Sequence, residues 1–169
     1  MHFALTEEQR MIQQLAREFA QQEIAPLSAQ HDREQSFPLP VHAKALELGL
    51  LNIAMPAEFG GAGLGALEVA LVTEQLCRAC LGIGTALCVN ALAAEPILLA
   101  GTSEQKQAWL PRLAAGEFAS FALTEPGAGS DAAGIRSTAV REGDDYVLNG
   151  SKMWISNASL ASFFVVFAK

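Results

Sequence analysis

Charge is scarce in this chain. Of its 169 residues only 17% are Asp, Glu, Lys or Arg, and the formal net charge is −7. No basic cluster occurs, which excludes the usual nucleic-acid binder, because phosphate backbones are held by grouped Lys and Arg. Aromatics are few, at 7%, with a single Tyr and two Trp. Cysteine is limited to Cys77, Cys80 and Cys88. That odd number, with no charged-then-apolar leader ahead of it, predicts a reducing cytoplasmic setting and no secretion signal. Cys77 and Cys80 have C-x-x-C spacing, but they fall inside a helical pattern without a second pair or a nearby His, so they read as small buried hydrophobes. His2, His31 and His42 are scattered through polar context, and no metal site is predicted. Internal repeats and low-complexity tracts are lacking too.

Apolar side chains are what the chain has in quantity, at 51%. A chain of this length buries a real core as one domain or two small ones. Thr6 and Gln9 have capping-box spacing and open a helix. Met11, Ile12, Leu15, Ala16, Phe19 and Ala20 then recur at helical spacing. Pro26 weakens the pattern, and the helix is expected to end before the polar stretch 31–36. Pro38 and Pro40 start a short second helix with Ala43, Leu46 and Leu50 on one side. Gly60, Gly61, Gly63 and Gly65 make an irregular connector, read as a hinge. A third helix is predicted at 66–77, a fourth at 81–100 and a fifth, capped by Ser103, ending near Gly116. The fourth is apolar nearly all round, so it is either central or membrane-spanning. Asn90, Glu95, Pro96, Gly82 and Gly84 within it favour a buried central helix and no membrane span.

From residue 118 the period changes to two. Residues 118–123, 135–141, 146–149, 153–156 and 163–168 read as strands, with hairpin turns at Asp144-Asp145 and Asn149-Gly150. The fold class is α+β: an N-terminal all-α bundle over 1–117, then an incomplete β-barrel or sandwich domain over 118–169. The run 163–168 is continuously apolar and belongs in the middle of a sheet, so the β domain is expected to need further strands.

Two stretches carry the chemistry. The first is Phe121-Ala122-Leu123-Thr124-Glu125-Pro126-Gly127-Ala128-Gly129-Ser130-Asp131. It starts as a short strand and breaks at Pro126 into a loop whose glycines leave backbone N–H groups uncovered for a phosphate. Thr124 and Ser130 add hydroxyls. The second is Lys152-Met153-Trp154-Ile155-Ser156-Asn157, in which Trp154 offers a flat face and Ser156 a hydroxyl on the same side of a strand. Together they suit a phosphate-bearing aromatic ligand at the end of a sheet. The residues 127–132 also match G-x-G-x-x-A, but a dinucleotide fingerprint needs a helix next, and 135–140 alternates like a strand. A Walker loop fails because no Lys-Ser/Thr follows the glycines. An ordinary turn between strands is the bland alternative.

These paired segments, with the Phe-x-Leu-Thr-Glu-Glu-Gln opening at Phe3 and the Pro-Glu-x-x-Gly-Gly-x-Gly loop, resemble the acyl-CoA dehydrogenase family. The resemblance runs along nearly the whole chain and covers less than half of a family chain. It implies FAD as cofactor, an acyl-CoA thioester as substrate, α,β-dehydrogenation, an electron-transfer acceptor protein and a homo-oligomer, usually a tetramer. It implies that Phe121, Leu123 and Thr124 lie along the isoalloxazine ring. The Leu123 N–H and the Thr124 hydroxyl would bond the ring's polar edge. By the same resemblance Gly129 and Ser130 approach the phosphates, Ser130 also faces the CoA arm, Trp154 and Ile155 border the flavin, and Ser156 places its hydroxyl near N5. Relatives often have Tyr for Phe121 and Thr for Ser156. The family's base comes from a C-terminal domain, so no catalytic residue is expected in this chain and Glu125 is read as structural. The fourth helix would line the acyl pocket, with Gly84, Thr85 and Cys88 leaving room for a medium or longer tail. A related acyl-CoA oxidase, a flavin monooxygenase or a non-catalytic subunit of a two-chain complex remain alternatives.

Overall fold

The computed structural model describes residues 4–169, so His2 and Phe3 lie outside the described residues. The chain divides into two compact units between Gly116 and Glu117.

In the helical unit, α1 (Glu7–Phe19) begins with a complete capping box. The Thr6 hydroxyl accepts the Gln9 N–H at 3.1 Å, and Gln9 Oε1 accepts the Thr6 N–H at 3.0 Å. Ala16, Phe19, Ala20 and Ile24 are buried, while Met11 and Leu15 stay exposed. Pro26 does not end the helical path. A π turn (Ala20–Ile24) and a 3-10 turn (Ala25–Leu27) absorb the missing donor, and α2 (Ser28–Glu34) runs into the polar stretch expected to be free of helix. Gln35, at φ 50°, stops it.

The helix α3 (Leu39–Glu47) buries Val41, His42 and Ala45, not Ala43. Leu46 and Leu50 of the expected face pack on the core and only Ala43 falls outside it, while His42 leaves its supposed polar context for the core, where burial lowers its pKa. The glycine connector is a folded loop rather than a free hinge. Gly63 N–H bonds Met55 O at 2.8 Å and Leu64 N–H bonds Ile53 O at 2.9 Å. A side chain on Gly61 would overlap the Met55 carbonyl oxygen.

The predicted 81–100 helix is interrupted. After α4 (Ala66–Ala79) come α5 (Leu81–Cys88) and α6 (Asn90–Ala100), with Val89 in a turn between them. Nor is it enclosed: Ile83, Leu87, Ala93 and Ala94 are buried, but Leu81, Leu92 and Leu99 are exposed. By length and composition alone 81–100 is apolar enough to cross a membrane. Gly84 permits α5 to approach α4, since a Cβ there would lie 2.7 Å from Cys77 Sγ and 2.8 Å from its Cα. The last helix, α7 (Ser103–Ala114), is capped by Thr102 rather than Ser103: its hydroxyl accepts the Gln105 N–H at 3.3 Å.

In the second unit β1 (Ala119–Ala122) pairs in parallel with β4 (Phe163–Val166), from Ala119↔Phe163 to Ala122↔Val166. The strands β2 (Thr138–Glu142) and β3 (Asp145–Asn149) form an antiparallel hairpin. Its turn is Gly143-Asp144, one residue before the predicted Asp144-Asp145, because Gly143 takes φ 66°. These are two separate two-stranded sheets, with no closed barrel. The strand β4, expected at a sheet centre, has a partner on one side only, and Phe164 and Val166 are exposed. Residues 153–156 are not a strand and Asn149-Gly150 is not a hairpin turn. Trp154 and Asn157 take φ 60° and 62°, which no strand allows, and the chain leaves β3 as an irregular segment.

Candidate functional site

The segment after β1 is shaped by Glu125. Its N–H bonds Ala128 O at 3.0 Å and its carbonyl accepts the Ala128 N–H at 3.1 Å, closing a turn around Pro126 and Gly127. The carboxylate is fully engaged. Oε2 accepts the Arg136 N–H at 2.6 Å, and Oε1 accepts the Ser137 N–H at 3.0 Å and the Lys152 ammonium at 2.8 Å. The Glu125 and Lys152 side chains are only 7% and 12% exposed. Lys152 first, then these N–H donors, hold the Glu125 carboxyl well below the usual carboxylate range. A carboxylate so bound is a weak base, which suits a structural part.

The same lysine ties the two motif segments together. Lys152 Nζ donates to Leu123 O at 3.0 Å, and the Met153 N–H donates to Thr124 O at 2.9 Å. Both carbonyls of Leu123 and Thr124 are thereby taken. Among the described residues, the N–H groups of Leu123 and Thr124 and the Thr124 hydroxyl make no hydrogen bond within the chain. Next to this free donor set, Trp154 is 82% exposed and in the left-handed region. A large residue in that conformation is strained and is held there by its neighbours' bonds.

The other residues of the predicted site are placed as follows. Phe121 is half-buried, with its ring 4.9 Å from that of Phe167. Ile155 is half-buried. Ser156 is exposed, and its carbonyl accepts the Ser120 hydroxyl at 2.8 Å. Gly129 and Ser130 are exposed beyond the turn, and no hydrogen bond ties them to 152–156. Gly127 and Gly129 have neither a positive φ nor any atom within 4 Å of an added Cβ. Nothing inside this unit requires glycine at either position. Trp154 and Ser156 are not brought side by side by strand alternation, as the sequence suggested; the irregular backbone sets each separately. The motif by itself gives Lys152 no role. Its signal is a lone cation between Ser151 and an apolar run, with two carboxylates, Glu125 and Asp131, in the partner motif.

The helical unit holds an apolar pocket of about 400 Å³, lined by Leu51, Met55, Val72, Leu87, Cys88 and Ala94, among others. Cys88 lines it; Gly84 instead packs on Cys77, and Thr85 is exposed.

Comparisons with known proteins agree on one family. The model of the acyl-CoA dehydrogenase N-terminal domain matches residues 6–117, and that of the acyl-CoA dehydrogenase middle domain matches residues 120–169. The chain is 46% identical to the short-chain specific acyl-CoA dehydrogenase, mitochondrial, of Homo sapiens, over 97% of this chain and 40% of that protein. It superposes with a TM-score of 0.92, at 42% identity, on a chain from the structure of the electron transferring flavoprotein of Acidaminococcus fermentans, covering 99% of this chain and 45% of the other. A glutaryl-CoA dehydrogenase from Mycobacterium smegmatis in complex with FADH2 gives 0.91 at 35% identity, covering 98% and 43%. The chain therefore spans less than half the length of each of these relatives.

Proposed function

The chain belongs to the acyl-CoA dehydrogenase family, and from that membership we propose that it is the N-terminal portion of an FAD-dependent acyl-CoA dehydrogenase. The observation that carries this reading is the unpartnered donor set of Leu123 and Thr124, joined by the Met153–Thr124 hydrogen bond to a segment that exposes Trp154. The donors and the bare glycine loop fit a flat ring with a polar edge and a diphosphate tail. When bound, FAD supplies the acceptor for the hydride leaving the acyl β-carbon.

In this reading the Thr124 hydroxyl and the Leu123 and Thr124 N–H groups orient the ring. Trp154 covers one face and excludes water, while Phe121 and Ile155 border it. Ser156 sets a hydroxyl at the ring, and Gly129 and Ser130 turn toward the diphosphate, Ser130 also toward the CoA arm. The apolar pocket behind Cys88 supports room for a medium or longer acyl tail. An electron-transfer protein as acceptor is supported by the likeness to the Acidaminococcus fermentans chain. Exposed Leu81, Leu92 and Leu99 support burial in a homo-oligomer, a tetramer in this family, and three unpaired cysteines suit a reducing cytoplasm.

The full-length enzyme is expected to purify yellow, and Trp154→Ala to weaken FAD binding about tenfold through lost ring stacking. A titration showing unchanged affinity would take Trp154 out of the site; a colourless protein that takes up no FAD would end the reading. The 169-residue chain alone is expected not to bleach added FAD with an acyl-CoA, because Glu125 is engaged and no other carboxylate lies among the motif's proposed contacts. Bleaching would show that the base is present here after all.

A further inference from the structure

We propose that Lys152 is a positioning residue that strengthens the Thr124 N–H as a hydrogen-bond donor and so eases reduction of the bound cofactor. The proposal rests on the flavin reading above and adds a tuning element to it. Lys152 Nζ bonds Leu123 O at 3.0 Å and Glu125 Oε1 at 2.8 Å from a side chain only 12% exposed. The Leu123 carbonyl and the Thr124 N–H are the two ends of one planar, conjugated peptide group and point in opposite directions. An ammonium on the oxygen draws electron density through that group and makes the far N–H more positive. Shielding from water strengthens the effect, and chained hydrogen bonds polarise one another. The Thr124 N–H makes no bond within the chain, so the polarised end is left without an acceptor of its own.

The Glu125 carboxylate restrains this effect, because it shares the same ammonium. Reduction adds electron density to a flavin ring, and a stronger donor at its polar edge stabilises that added charge. Lys152 and Glu125 therefore act with opposite sign on the same peptide group. Simple pinning of the two segments predicts no such opposition, since removing either member would only loosen them.

The test uses the full-length enzyme with FAD bound, and reads the flavin midpoint potential by spectroelectrochemistry. Lys152→Met is expected to lower the equilibrium preference for the reduced form about tenfold, which for two electrons is about 30 mV more negative. Lys152→Arg keeps the charge and is expected to stay near the wild-type value. Glu125→Gln frees the ammonium from its counter-charge and is expected to shift the potential positive. An unchanged potential in Lys152→Met, or shifts of the same sign in Lys152→Met and Glu125→Gln, overturns the proposal while leaving the flavin reading intact. If Lys152→Met does not fold, Glu125→Gln decides: a zero or negative shift overturns it. A wild-type enzyme that holds no flavin overturns both.

Discussion

Leu76→Ala is expected to remove about 2–5 kcal/mol from the helical unit, the range for deleting a fully enclosed leucine. Leu76 has 0% exposure and belongs to the core cluster with Ala16, Phe19, Ile24, Val72 and Leu87. It sits on α4, the helix that packs against both α1 and α5. Three of the four alkyl carbons of the side chain would vanish from a site whose walls are backbone-anchored helices, so little collapse can refill the space. Total stabilities of domains are about 5–15 kcal/mol, which makes this a large fraction. The check is the denaturant midpoint, with Leu99→Ala beside it as a control. Leu99 is 82% exposed, so its truncation is expected to stay within about 0.5 kcal/mol. Equal shifts in the two variants would mean that the core has been misplaced.

The second large effect is expected at Glu125. In Glu125→Ala the Lys152 ammonium keeps its sheltered place but loses its counter-ion, and the N–H groups of Arg136 and Ser137 lose their acceptor. Removing one member of a sheltered pair is costly because the other charge is left uncompensated. Amide hydrogen exchange at Arg136 and Ser137 is expected to quicken roughly ten- to hundredfold, as for a lost hydrogen bond, while the core amides of α4 are unaffected. Unchanged exchange at both amides would show that the carboxylate is not what holds them.

The same carboxylate sets an acid dependence with a definite sign. Its pKa in the folded chain lies below the ordinary value of 4.5, with Lys152 the largest cause. The unfolded chain therefore takes up the proton more readily. The stabilisation from Glu125 is complete above 4.5 and drains away as pH falls below it toward the folded value. The neutral range is flat. Glu125→Gln is expected to flatten the acid limb of the second unit's unfolding curve, and an acid limb that persists in that variant would assign it to other carboxylates.

Much of the local structure was legible from residue order. The capping box at Thr6 needs only neighbours three positions apart, and so does the box at Thr102, although there the adjacent Ser103 competes for the same part. Errors gathered where the deciding partner lies far along the chain. Met153-Trp154-Ile155 has the residue types of a strand. Yet the bonds from Lys152 and Met153 to Leu123, Glu125 and Thr124 bend it out of strand geometry. Val89 carries no breaker, so the division between α5 and α6 had no local mark. His42 looked polar because a titratable ring is usually solvated, and only the packing of α3 puts it inside.

Sequence alone determined the family, the change from helical to alternating period near residue 117, and the two short motifs with their hydroxyls, glycines and indole. Tertiary structure alone decided which of those groups are free to bind a ligand. Hydrogen-bond satisfaction is settled between residues such as Glu125 and Lys152, 27 positions apart, and no periodicity or composition records it. Lys152 takes the carbonyl of Leu123 and the Met153 N–H that of Thr124, while the N–H groups of both residues and the Trp154 face are left on offer.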